Sequence, residues 1–197
     1  MRIGVFGGTF NPPHLGHLVC AQEAYVQLGL HLVMLIPVFT PPHKPLEDEP
    51  GPEHRLELCR LAVQGDARFA VSALETSRSG PSYTVDTLRE LHAIEPDNEL
   101  FLILGGDVAA GLPRWRDPEA VVALATPAVV NRRGTPRARA AEGLSKLPGT
   151  ERARFFSMPW VGVSSTIIRR RIKAGQPIRY LVPDAVAAHI DAKGMYR

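Results

Sequence analysis

His14 and His17 stand three positions apart, directly after the run Gly7-Gly8-Thr9-Phe10-Asn11-Pro12-Pro13. Imidazoles at that spacing in the first turn of a helix share a face, and both can donate to one oxyanion. The residues before them suit the same chemistry. Gly7 and Gly8 let the backbone turn sharply and approach a ligand, so that N–H groups around Thr9 and Phe10 are offered to phosphate. A helix opening at Leu15 aims its positive end the same way. Other phosphate and metal motifs fit less well. G-x-G-x-x-G fails where the prolines stand, and a Walker A loop would end in Gly-Lys-Ser/Thr. A zinc site would need the Glu of H-E-x-x-H or a further Cys/His cluster, so no protein-held metal is expected.

Two further stretches carry polar chemistry. Val163-Ser164-Ser165-Thr166-Ile167-Ile168-Arg169 reads as a loop entering a helix, with Ser164 or Ser165 as N-cap. Hydroxyls, backbone N–H groups and the Arg169 guanidinium make it a second anion site. The plain alternative is a capped helix with a basic solvent face. In Leu102-Ile103-Leu104-Gly105-Gly106-Asp107, Gly105 allows close ligand approach after a buried strand, and Asp107 can accept ribose hydroxyls. Trp115, between Arg114 and Arg116, is either a half-buried anchor or a stacking platform for a flat ring. Trp160 sits in an apolar segment and is expected in the core.

These residues need a scaffold. Apolar runs at 2–6, 32–38, 69–74, 99–104, 128–131 and 154–158 read as strands. The first, second and fourth are nearly continuous, as in strands buried on both faces. Helical spacing appears at 15–28, 53–64, 84–94 and 118–124, the last opened by an Asp117 N-cap and Pro118. The alternation predicts an α/β fold, a Rossmann-like doubly wound and mostly parallel sheet with helices on both faces. A length of 197 residues fits one domain, 1–197. The stretch 38–52 holds five prolines and Glu47-Asp48-Glu49, and reads as a long loop with solvated acids. Residues 137–150 read as an exposed helix or a loose segment. The longest apolar run, from Leu32 to Phe39, is broken by Pro37 and far short of a membrane span. Cys20 and Cys59 form no C-x-x-C and read as core thiols in a reducing cytoplasm. The net charge of +3 suits an anionic substrate. Arg132-Arg133, Arg137/Arg139 and Arg169-Arg170-Arg171 lack the interleaved aromatics of a nucleic-acid surface, so neither nucleic acid nor membrane is expected as a partner.

Gly8-Thr9-Phe10-Asn11-Pro12-Pro13-His14-Leu15-Gly16-His17 resembles the G-T-F-[DN]-P-x-H-x-G-H signature of the nucleotidylyltransferase superfamily. The 163–169 stretch resembles its I-S-S-T-x-I-R element, with Val163 in place of isoleucine. Other blocks resemble the bacterial nicotinate-nucleotide adenylyltransferases. Pro41-Pro42-His43-Lys44 is similar to that family's loop after the second strand. Tyr83-Thr84-Val85-Asp86-Thr87 is similar to its Y-T-x-D-T element, and Gly105 to Trp115 to its G-x-D…W block. Leu58 stands where the family often has methionine.

The resemblance implies transfer of AMP from ATP to nicotinate mononucleotide, giving deamido-NAD and pyrophosphate without a covalent enzyme intermediate. It implies His14 and His17 as catalytic groups. Gly8, Thr9, Phe10, His14, His17, Lys44, Gly105, Asp107, Ser164, Ser165, Thr166 and Arg169 then bind ATP and its phosphates. Thr9, Lys44, Tyr83, Thr84, Trp115 and Arg116 hold the nicotinate nucleotide. Backbone N–H groups near Thr84 and at Trp115–Arg116 are expected to receive its carboxylate, and Mg²⁺ to ride on the substrate phosphates. Two readings stay open beside this one. A sister enzyme adenylating phosphopantetheine or cytidylylating a polyol phosphate would share both phosphate motifs. A non-enzymatic nucleotide-binding regulator would keep the fold. The oligomeric state is left open, a homo-oligomer included.

Overall fold

The computed structural model describes residues 1–42, 46, 48–131 and 137–197. Strands β1 (Arg2–Gly8), β2 (Leu32–Pro37), β3 (Phe69–Val71), β4 (Glu99–Gly105), β5 (Ala125–Asn131) and β6 (Arg154–Ser157) form one parallel sheet in the order β3-β2-β1-β4-β5-β6. Around it run α1 (Leu15–Gln27), α2 (Pro52–Val63), α3 (Thr84–Ile94), α4 (Gly106–Ala110), α5 (Pro118–Leu124), α6 (Arg137–Leu144), α7 (Ser165–Lys173) and α8 (Asp184–Ala192). This is the expected Rossmann-like α/β arrangement. The strand order reverses at β1, and in such sheets ligands bind outside the carboxyl ends of the strands near the reversal. None of the described helices is long and apolar enough to cross a membrane.

The chain divides into two compact units. Unit 1 comprises Met1–Phe6, Cys20–Met34 and Tyr83–Trp160. Here β1 pairs with β4 from Arg2↔Glu99 to Val5↔Leu102, and β5 pairs with both β4 and β6. β4 and β5 are buried almost residue by residue, which is why their sequences run apolar without alternation. A Cβ on Gly4 would meet Leu30 Cδ1 at 2.8 Å and Ile103 Cδ1 at 2.9 Å, so a side chain at this strand position would have to displace both methyls. Residues 137–144 form a helix, resolving the alternative left by the sequence. Asp117 does precede α5, but with a left-handed φ of 48° and no capping bond from its side chain. Its carboxylate pairs instead with Arg89, an ion pair that competes successfully with the cap. Trp160 is 71% exposed, against the expectation of a core residue. It follows β6 on a stretch without regular structure, where no packed layer receives it.

Unit 2 comprises Gly7–Val19, Leu35–Ser82 and Val161–Arg197. Its core joins Leu58 and Ala62 of α2, Ile168 of α7, and Val186 and Ile190 of α8. Full burial of each Leu, Ile or Val side chain among them is worth about 1.5–3 kcal/mol. Leu58, the departure from methionine, is wholly buried in this cluster. Cys20 in unit 1 and Cys59 in unit 2 are buried thiols, as expected of core residues.

Candidate active site

The loop after β1 takes its shape from a residue other than the glycines. Gly7 and Gly8 were expected to form the turn, yet both belong to β1 and neither has a positive φ. The chain turns at Phe10, whose φ is 46°. For a non-glycine residue that region costs about 1–2 kcal/mol. Burial of the phenyl ring, 1% exposed, offsets this. Gly8 serves the turn indirectly, since a Cβ there would stand 3.1 Å from the Phe10 ring. The Phe10 ring meets His17 edge-on, with centroids 5.0 Å apart.

His14 occupies the N-cap position of α1 and His17 the third helical position. The His14 N–H donates to His17 Nδ1 at 3.2 Å, and the His14 carbonyl accepts from His17 N at 2.9 Å. This is the second half of a capping box, the N3 side chain reaching back to the N-cap N–H, with an imidazole in place of the usual Glu or Gln and a backbone carbonyl in place of the N-cap side chain. The two rings stack at 3.7 Å between centroids. Because Nδ1 of His17 accepts a hydrogen bond, the proton of its neutral form is assigned to Nε2. His14 is buried, and Gly16 makes space for it: a Cβ on Gly16 would lie 3.0 Å from both Cε1 and Nδ1 of that ring.

The second motif is joined to this loop. Ser164 is the N-cap of α7, its Oγ accepting from Ile167 N at 3.2 Å. Ser165 Oγ donates to the Pro12 carbonyl at 2.9 Å, and Arg169 Nη1 donates to the Asn11 carbonyl at 2.9 Å. Two stretches some 150 positions apart in sequence thus form one polar wall. Arg169 is buried, and Thr166 beside it is exposed. Asp48 lies 3.4 Å from Arg169 Nε and accepts from Lys173 Nζ at 2.5 Å. The Lys173 hydrogen bond, aided by the charges of Lys173 and Arg169, holds the Asp48 carboxyl below the ordinary carboxylate range. Asp48 and Glu49 are exposed, as expected of solvated acids, and both also pair with cations; Glu47 lies outside the described residues. Lys44 lies outside the described residues.

None of the motifs drew attention to Arg55. Its side chain is wholly buried, donating to Glu49 Oε1 at 2.7 Å, the Thr9 carbonyl at 3.0 Å and the Phe39 carbonyl at 2.9 Å. A signal was present, since Arg55 falls in register with Cys59 and Ala62 on the apolar face of α2. A charge in such a stripe needs partners.

In unit 1, Tyr83, Asp86 and Arg116 cluster. The Arg116 guanidinium lies 4.7 Å from the centre of the Tyr83 ring and 3.6 Å from Asp86 Oδ2. Thr84 begins α3, so its N–H belongs to a helix N-terminus. Trp115 is half-buried, and its N–H donates to the Leu112 carbonyl at 3.0 Å, closing a 3₁₀ turn. That bond corrects the expectation of a Trp115 N–H offered to a carboxylate. Gly105 has open space where a Cβ would project. Asp107 is exposed, 3.6 Å from Arg139 Nη1. No group of three or more His, Cys, Asp or Glu among the described residues is placed to hold a metal ion.

A cytidylyltransferase-like family model matches residues 5–171. A relative from Thermus thermophilus, named "Probable nicotinate-nucleotide adenylyltransferase", is 45% identical over 197 residues, covering 100% of both chains. Relatives of the same name are 45% identical in Roseiflexus sp. (strain RS-1), covering 99% of this chain and 98% of the other, and 40% identical in Geobacillus thermodenitrificans, covering 99% and 86%. The solved structure of Plasmodium falciparum nicotinic acid mononucleotide adenylyltransferase complexed with APC superposes with a TM-score of 0.79 at 16% identity, covering 99% of this chain and 96% of that one. Its complex with NaAD gives 0.78 at 18% identity, covering 99% and 97%. These two likenesses bear on the fold alone. The family model spans both phosphate motifs, and the relatives match 99–100% of this chain at 40–45% identity, so the chain belongs to the nicotinate-nucleotide adenylyltransferase family.

Proposed function

We propose that this chain, acting as one nucleotidyltransferase domain, joins ATP to nicotinate mononucleotide to give deamido-NAD and pyrophosphate. The observation carrying the proposal is the stacked pair His14–His17, with His17 Nδ1 accepting from the His14 N–H and its Nε2 left to donate. An oxygen of the acceptor's 5′-phosphate attacks the α-phosphorus of ATP. The new P–O bond forms as the bond to the bridging oxygen of pyrophosphate breaks. Such transfer depends on positioning and charge stabilisation more than on a protein nucleophile. His14 and His17 donate to the α-phosphoryl oxygens, with the backbone of Gly8, Thr9 and Phe10 beside them. Ser164, Ser165, Thr166, Arg169 and Lys44 hold the rest of the triphosphate, and Mg²⁺ enters bound to the substrate phosphates. Gly105 and Asp107 receive the adenosine side.

Tyr83, Thr84, Trp115 and Arg116 hold the nicotinate nucleotide, with Trp115 supplying its ring face. Thr84 N–H and the Arg116 side favour a carboxylate over a carboxamide, whose NH₂ leaves a donor unpaired at a cost of about 1–3 kcal/mol.

The test is pyrophosphate release from Mg-ATP with nicotinate mononucleotide, nicotinamide mononucleotide or phosphopantetheine, each alone. Release is expected chiefly with the first, and a preference for phosphopantetheine would overturn the acceptor assignment. In the same assay, His14→Ala and His17→Ala should each lower kcat by roughly 10²–10³, as loss of an oxyanion donor does. Near-normal turnover in a folded His17→Ala protein would remove the catalytic role.

A further inference from the structure

We infer that Arg55 is a positioning residue for nucleotidyl transfer, setting through the Thr9 carbonyl the direction of the peptide that faces the transferring phosphoryl group. The inference rests on the reaction proposed above. Arg55 lies on α2, is 0% exposed, and gives each of its three nitrogens to a different partner. One is an acid, Glu49, which supplies the countercharge and stays partly exposed. The other two are backbone carbonyls, Thr9 in the loop after β1 and Phe39 in the loop after β2.

A guanidinium is a costly way to fill a core. Apolar side chains of similar volume often replace buried ion pairs without loss of stability. What an apolar side chain cannot do is fix the direction of two carbonyl groups. The peptide bond is planar and trans, so a carbonyl pinned on one side sends the following N–H to the other. With the Thr9 oxygen held by Arg55, the Phe10 N–H points away from α2. Phe10 also carries the left-handed φ of 46° that turns the loop, and its ring touches His17. Rotation of the Thr9–Phe10 peptide would therefore change both the backbone donor and the packing of a catalytic imidazole. The second bond acts likewise on the loop after β2. There Phe39 N–H donates to Ser82 Oγ at 2.9 Å and the Thr40 carbonyl accepts from Ser82 N at 2.9 Å, so the Phe39 oxygen is held from one side and its neighbours from the other.

The test compares Arg55→Met, Arg55→Lys and Glu49→Gln with the wild type in the full chain. It reads kcat, KM for ATP and thermal midpoint. Methionine fills the space and bonds neither carbonyl; lysine keeps the charge and spans only one. Both should fold, lose 10- to 100-fold in kcat, and change KM for ATP by less than about threefold. Glu49→Gln keeps an oxygen facing Nε and both carbonyl bonds, so it should lower the thermal midpoint with kcat within about threefold. A folded Arg55→Met protein with wild-type kcat would overturn the assignment, because a purely structural arginine predicts that result. A change confined to KM would overturn it too. Should neither Arg55 variant fold, Arg55→Gln, whose amide can still donate to one carbonyl, takes their place. A folded Arg55→Gln protein with wild-type kcat overturns the assignment, and a tenfold or larger loss at unchanged KM supports it. A tenfold or larger loss in Glu49→Gln would place the effect in the ion pair and reject positioning through the carbonyls. The acceptor assignment fails separately. A wild type active only on another acceptor leaves the comparison intact with that acceptor.

Discussion

A methyl group on Gly16 would stand 3.0 Å from two atoms of the His14 imidazole, closer than carbon normally comes. The same substitution replaces glycine by alanine inside α1, which favours the helix by up to about 1 kcal/mol. Gly16→Ala therefore separates stability from activity. It should hold or raise the thermal midpoint while lowering kcat by roughly 10–100-fold, since small displacements of reacting groups are costly. Equal kcat would mean that the His14 ring moves aside without effect on the reaction. At this scale the sequence placed His14 and His17 at the start of a helix and offered Ser164 or Ser165 as a cap, of which Ser164 is the one used, because such features depend on near neighbours. Arg55 and the turn at Phe10 were hidden for the opposite reason. The partners of Arg55 are carbonyls 46 and 16 positions away, and no local pattern announces a distant carbonyl. Phe10 turns the chain because its ring finds a buried seat, a tertiary effect that overrides glycine's intrinsic preference.

Elements were legible where periodicity was strong. Helices at Thr84–Ile94 and Pro118–Leu124 fall on the expected residues, while β5 begins at Ala125, three residues before the expected start. The sequence there reads Ala-Thr-Pro, a threonine between two weak strand formers, held by pairing with β4. α4 was missed because five residues are too few for a period. α6 depends on contact with α4: a Cβ on Gly143 would lie 2.5 Å from Ala110 Cα. Gly143→Ala should cost about 1–3 kcal/mol in urea unfolding, overpacking outweighing the gain in helix propensity. A neutral or stabilising result would mean that the two helices can separate freely.

At the scale of the whole molecule, each compact unit carries one buried thiol, Cys20 in the first and Cys59 in the second. Burial pushes the Cys59 thiol well above its ordinary range, against the opposing pull of Arg55, so little thiolate is available. Neither cysteine should react with an aromatic disulfide at pH 8 in the native protein. In moderate urea both should be labelled at one rate, as in a single cooperative unit, since the chain passes repeatedly between the two sets of segments. Two distinct labelling rates would show that the units open independently. During synthesis the strand order creates a hazard of another kind. β1 lies inside the sheet, and Arg2 waits for Glu99 as its partner. At ribosomal speeds that interval is roughly 5–20 s. Throughout it the nascent chain exposes an unpaired aliphatic strand edge, so the period before β4 emerges is when a wrong partner can capture β1 and a chaperone has most to protect.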